Sequence, residues 1–135
     1  MKDLARIIKI PKILDQRGSL SFFQSIDNIP FNIIRTSILS DKLILRKKGF
    51  VLKNQDEFTV VLSGSVDIQV ISKNTNEIYT LNEPNKGLYI PKMIWRNIIS
   101  IAPNSIILIV GSGLNKEKIY KEECNEFLKT LSNEK

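Results

Sequence analysis

The interruptions in this sequence constrain its fold more than any single residue does. From Arg6 to Gly111, short runs rich in Ile, Val, Leu and Phe are separated by Gly, Pro, Asn and Asp. That pattern means many strands rather than helices. Strands are predicted over Arg6–Ile10, Ser19–Phe23, Asn32–Leu39, Leu43–Arg46, Phe58–Leu62, Val66–Ser72, Glu77–Leu81, Gly87–Ile90, Asn97–Ile101 and Ile106–Gly111. Val66, Ile68 and Val70 alternate with Asp67 and Gln69, which turns one face inward and the other outward. Gly64 in "SGS" can take a positive φ and join two strands as a hairpin. "KNTNE", Lys73 to Glu77, offers two Asn residues for the next turn.

Only the tail changes character. There "NKEKIYKEECNEFLKTLSNEK" places Ile119, Glu123 or Cys124, Phe127, Leu128 and Leu131 at helical spacing, with Asn115 as the N-cap and Glu117 suited to the helix dipole. At 135 residues the chain has the length of one domain. The expected architecture is all-β, a jelly-roll antiparallel β-barrel over about 1–113, with a C-terminal α-helix over about 116–131 packed on it.

Twenty Lys and Arg against fourteen Asp and Glu give a net charge of +6. That excess suits an anionic partner, or simply a solvated lysine-rich surface. The single cysteine, Cys124, rules out an internal disulfide and fits a reducing compartment. The chain has no histidine, so neither a metal site nor a Ser–His or Cys–His nucleophile is expected, and no cofactor is called for. "GSG", Gly111 to Gly113, lacks the spacing of a dinucleotide fingerprint and reads as a turn. Aromatics placed in strands, rather than among exposed basic residues, count against nucleic acid. The apolar run near the N-terminus is too short for a signal peptide and is broken by Pro11. No segment has the length of a membrane span, and the cytoplasm is the expected place.

Two segments form a pair. In the first, Gly49 to Gly64, Glu57 is followed after six residues by Gly64, the spacing of the first cupin motif. In the second, "NKGLYIPKMIWRNI" from Asn85 to Ile98, the glycine and proline fall as in the second cupin motif. More closely, the chain resembles the WxcM-like sugar 3,4-ketoisomerases. The likeness runs through "KIPKILDQRGSLSF", "NIPFNIIRTSIL", "KKGF", "LSGSV", "LNEPNKGLYIPKMIW" and "NEFLK", in the family's order. It implies a cupin barrel whose two motifs line one mouth, a dTDP-sugar such as dTDP-4-keto-6-deoxyglucose as ligand, and a homodimer with exchanged N-terminal strands.

The departures from the family pattern fall on its chemistry. The family carries a His-x-His pair after "GF", a histidine after the tryptophan, and a tyrosine after the arginine of the "IIR" strand. Here those places hold Val51 and Lys53, Arg96, and Ser37. Moving a carbonyl from C4 to C3 needs a base to lift the C3 proton and an acid to return one at C4, work that suits imidazole. Val51 can do neither. The remaining catalytic candidates are Glu57 as a buried base, Lys53 as a desolvated base or an ion-pair partner of Glu57, and Tyr89 through its hydroxyl.

The binding residues of the resemblance persist. Arg17, Arg35 and Arg46 remain, and Lys53 and Arg96 add charge, a set suited to clamping a diphosphate. Trp95 stacks on a thymine or sugar in that reading, or packs in the core. The alternative for Arg17 and Arg35 is pairing with Asp15, Glu57 or a dimer partner. Three functions stay open: a catalytically degenerate cupin that keeps a nucleotide-sugar pocket, an active isomerase or epimerase with a rebuilt acid–base pair, and an interaction module with a closed pocket. A mouth lined by Arg17, Arg35, Arg46 and Arg96 fits the first, whereas one filled by Phe50, Val51 and Leu52 fits the third.

Overall fold

The computed structural model describes residues 4–40, 49–114 and 118–119. They form twelve strands: β1 (Arg6–Lys9), β2 (Lys12–Asp15), β3 (Gly18–Ser21), β4 (Arg35–Ser40), β5 (Val51–Leu52), β6 (Glu57–Ser63), β7 (Val66–Ser72), β8 (Thr75–Leu81), β9 (Lys86–Ile90), β10 (Trp95–Ile101), β11 (Ile106–Gly111) and β12 (Lys118–Ile119). A five-stranded sheet runs β1-β9-β6-β11-β4 and a three-stranded sheet runs β10-β7-β8, every neighbouring pair antiparallel. The all-β jelly roll expected of the sequence is therefore observed.

Alternation decides what each face buries. Val61, Leu88, Ile90 and Ile107 of the larger sheet meet Val66, Ile68, Val70 and Leu81 of the smaller one in the barrel core. Each fully buried aliphatic side chain there is worth about 1.5–3 kcal/mol. On the other face of β6 and β9, Phe58, Val60 and Tyr89 pack with Val110 under Ile10, Ile29 and Phe31 from the N-terminal segment. The β6–β7 hairpin turns at Gly64 with φ of 87°, as "SGS" predicts.

Boundaries differ where sequence signals are weak. β8 begins at Thr75, two residues before the expected start at Glu77, because Thr75 pairs with Ser72 across a two-residue turn. β2 pairs with β3 although "KILD" is exposed throughout. Lys118–Ile119 pairs with Val51–Leu52 as a strand, so the expected helix is absent at those two residues. Ladder pairing at this point overrides the 3.6-residue spacing. The rest of the expected helix, and the strand expected over Leu43–Arg46, lie outside the described residues.

Candidate functional site

One register line crosses four strands at one mouth of the barrel. Arg35 on β4 stands opposite Gly111 on β11, Gly111 opposite Glu57 on β6, and Glu57 opposite Ile90 on β9. Residues on one line share a face, so Arg35 and Glu57 project into the same space. Gly111 lies between them and makes their meeting possible. A Cβ at position 111 would stand 2.3 Å from Arg35 Nη2 and 2.9 Å from its Cζ. The guanidinium therefore passes over a bare stretch of backbone.

Glu57 is held from two sides. Arg35 Nη2 donates to its Oε2 at 2.7 Å, and Arg96 Nη1 donates to its Oε1 at 2.6 Å. The Glu57 and Arg96 side chains are 5% and 4% exposed, and that of Arg35 is 12% exposed. Arg96 also donates Nη2 and Nε to the carbonyl of Ile94 at 3.2 and 3.4 Å. Its guanidinium sits 5.1 Å from the Phe50 ring centroid. Burial pulls the Arg96 guanidinium below its ordinary range, while Glu57 pulls it back.

Arg35 reaches further. Its Nε donates to Gly113 O at 3.1 Å, its Nη1 to Ser37 Oγ at 3.3 Å, and its Nη2 to Gln55 Oε1 at 2.8 Å. Ser37 thus holds an arginine. Gln55 is buried and donates its Nε2 to Leu114 O at 2.6 Å. Next to it, Asp56 accepts from the Lys92 amide at 2.9 Å. A groove of about 700 Å³ opens at this end and shares Asp56 and Ile94 with the site, with Lys73, Lys92 and Met93 among its other walls.

The remaining candidates are placed elsewhere. Tyr89 faces the opposite side of the sheet, buried against Phe31 at 6.2 Å between centroids and under Arg6 at 4.8 Å. Its position opposite Phe58, one residue off the Glu57 line, fixes that direction. Lys53 is exposed at the bend after β5, so the desolvation that a lysine base needs is missing. Arg35 and Arg96, rather than Lys53, pair with Glu57. Arg17 lies at the exposed β2–β3 turn and grips Asp15, donating Nη2 to Oδ2 at 2.7 Å. Those bonds hold the Asp15 carboxyl below its usual range. Arg46 lies outside the described residues.

Trp95 is half-buried and leans on Gly49, where a Cβ would come within 2.0 Å of its Cζ2. Val51 and Leu52 are completely buried, and Phe50 lies beneath Arg96. The mouth thus combines both expected patterns, two of the arginines and the apolar β5 segment. Gln55, Gly111 and Gly113 were not singled out from sequence for this site. Their only signal is the pair of glycines closing β11, which reads equally well as a turn.

Two facing sheets with a polar cluster at one mouth define a cupin. The family model FdtA (WxcM-like, C-terminal) matches residues 3–132, and the chain belongs to that family. A TDP-4-oxo-6-deoxy-alpha-D-glucose-3,4-oxoisomerase of Aneurinibacillus thermoaerophilus is 27% identical over 128 residues, covering 94% of this chain and 92% of its own. The structure of the WlaRB TDP-quinovose 3,4-ketoisomerase from Campylobacter jejuni superposes with a TM-score of 0.83 at 28% identity, covering 93% of this chain and 97% of its own. A histidine-to-asparagine mutant of the 3,4-ketoisomerase QdtA from Thermoanaerobacterium thermosaccharolyticum, in complex with TDP-4-keto-6-deoxyglucose, gives 0.84 at 25% identity, covering 99% and 98%.

Proposed function

We propose that this chain is a nucleotide-sugar-binding cupin that has given up the 3,4-ketoisomerase reaction, working in deoxysugar or surface-polysaccharide biosynthesis without a cofactor. The observation that carries this reading is the buried Arg35–Glu57–Arg96 bridge. Isomerisation starts with a base presented to the C3 proton, and Glu57 is instead buried as the counter-charge of two guanidinium groups, one on each oxygen. Val51 has no proton to exchange, Lys53 is exposed, and Tyr89 faces away.

Support for binding comes from two directions. The likeness extends over nearly the whole chain to a ketoisomerase whose structure holds TDP-4-keto-6-deoxyglucose. The groove of about 700 Å³ is in the range of small-ligand sites, and Lys73 and Lys92 on its walls suit a diphosphate. The same reading includes a homodimer formed through the N-terminal strands. Leu14 and Leu20 of the β2–β3 hairpin are 73% and 59% exposed, apolar surface that a second copy would cover.

The test is a proton NMR time course of dTDP-4-keto-6-deoxyglucose with the protein in D₂O. Nucleotide signals should broaden while the C3 proton persists at the rate of a protein-free control. Accelerated loss of that proton would mean that a base and acid have been rebuilt and that the chain is an active isomerase. Sharp, unchanged nucleotide signals would point instead to a closed pocket.

A further inference from the structure

β11 ends at Gly111, and the next residues cross the mouth rather than leave it. Ser112 N–H donates to Asp56 O at 3.0 Å, and Ser112 Oγ accepts from the Asp56 amide at 2.8 Å. Gly113 O accepts from Arg35 Nε at 3.1 Å, and Leu114 O from Gln55 Nε2 at 2.6 Å. The fit is close, since a Cβ at position 113 would lie 3.2 Å from Gln55 Cδ and Nε2. Four bonds thus fasten three residues, and two of them come from side chains that also hold the ion-pair cluster. We infer that Ser112–Leu114 is a strap latched by Arg35 and Gln55, and that an anion taking hold of Arg35 unlatches it.

The donor geometry of Arg35 requires the competition. A bidentate grip on a phosphate uses two N–H groups along one edge of the guanidinium. The edge containing Nε is engaged with Gly113, and the Nη2 group shared by both edges serves Gln55 and Glu57. A diphosphate gripping the edge that contains Nε must displace Gly113 O, together with the Gln55 or Glu57 oxygen on Nη2. Gln55 then transmits the change, because one carboxamide bridges Arg35 and the Leu114 carbonyl. Coupling of this kind is reciprocal, so loosening the strap strengthens anion binding.

The inference rests on the anion-binding reading above and extends it from the groove lysines to Arg35, which lies outside the groove lining, and the experiment separates the two. TDP is titrated into the isotopically labelled full-length protein, and the carbonyl ¹³C shifts of Gly113 and Leu114 are followed with the amide exchange of Ser112. Both carbonyl signals should move along the binding isotherm, and Ser112 should exchange faster in the bound form. Gln55→Ala and Gly113→Ala, which release the strap from opposite sides, should each bind TDP about fivefold tighter or more. TDP binding with both carbonyls unmoved, or with unchanged affinity in the two variants, overturns the strap and leaves the proposed function standing. No TDP binding by any of the three proteins overturns both.

Discussion

Glu57 is the residue on which the readings of this mouth divide. A catalytic carboxylate keeps an oxygen open towards substrate, and its amide variant ordinarily folds as well as the parent. Here the carboxylate is the counter-charge of two buried guanidinium groups. Glu57→Gln should therefore lower stability by about 3–5 kcal/mol, the range for breaking a buried ion pair by removing one partner. Urea denaturation measures this, and a loss below about 1 kcal/mol would show that the cluster is not held by its charges. Part of the cluster was legible in sequence. Pairing of Arg35 with Glu57, and of Arg17 with Asp15, stood among the alternatives. Arg96 as the second partner did not, because its position suggested a ligand contact. Gly111 was invisible as a determinant, since only the register reveals which side chain crosses it.

Among the elements, β7 shows how a strand is tied on its solvent side. Asp67 accepts from Thr80 Oγ1 on β8 at 2.6 Å and from Ser100 Oγ on β10 at 2.7 Å. The two hydroxyls hold its carboxyl below the ordinary value of 3.8, Thr80 contributing most. A carboxyl depressed in the folded state stabilises it above the unfolded value near 3.8, and that stability is lost as pH falls through the lower folded value. Asp67→Asn should consequently melt at a lower temperature than the parent near pH 7, with the difference shrinking near pH 2. Thermal melts at both pH values test this, and a difference independent of pH would assign the effect to packing. Long alternating strands such as β7 were readable from sequence to the residue. β5 and β12 are two-residue strands, too short to show a period, and among the described residues each is defined by its pairing with the other.

At the scale of the molecule, the paired cupin motifs were enough to identify the jelly roll. They could not say which arginines converge. Arg35 and Arg96 meet at Glu57 because β4 and β10 bring their first and second residues, respectively, to the same mouth, whereas Arg17 rides at a hairpin turn where Asp15 takes its fork. That hairpin leaves Ile13, Leu14 and Leu20 largely exposed, which is unfavourable for an isolated two-stranded element. If a second copy covers it, the parent chain should sediment as a dimer, and Leu14→Asp combined with Leu20→Asp should sediment as a folded monomer. A parent chain that remains monomeric at high micromolar concentration would contradict the proposed assembly.

The contact between Trp95 and Gly49 has an optical consequence. Trp95 is the only tryptophan in the chain, and it is half-buried over Gly49, one residue before Arg96 on β10. Indole emission therefore originates from one known place in the molecule. Its wavelength and intensity report solvent entry at the Gly49 contact, so local opening there, and any change that the proposed nucleotide binding brings, can be timed by stopped flow in the unmodified protein, without a label and without an assay for turnover.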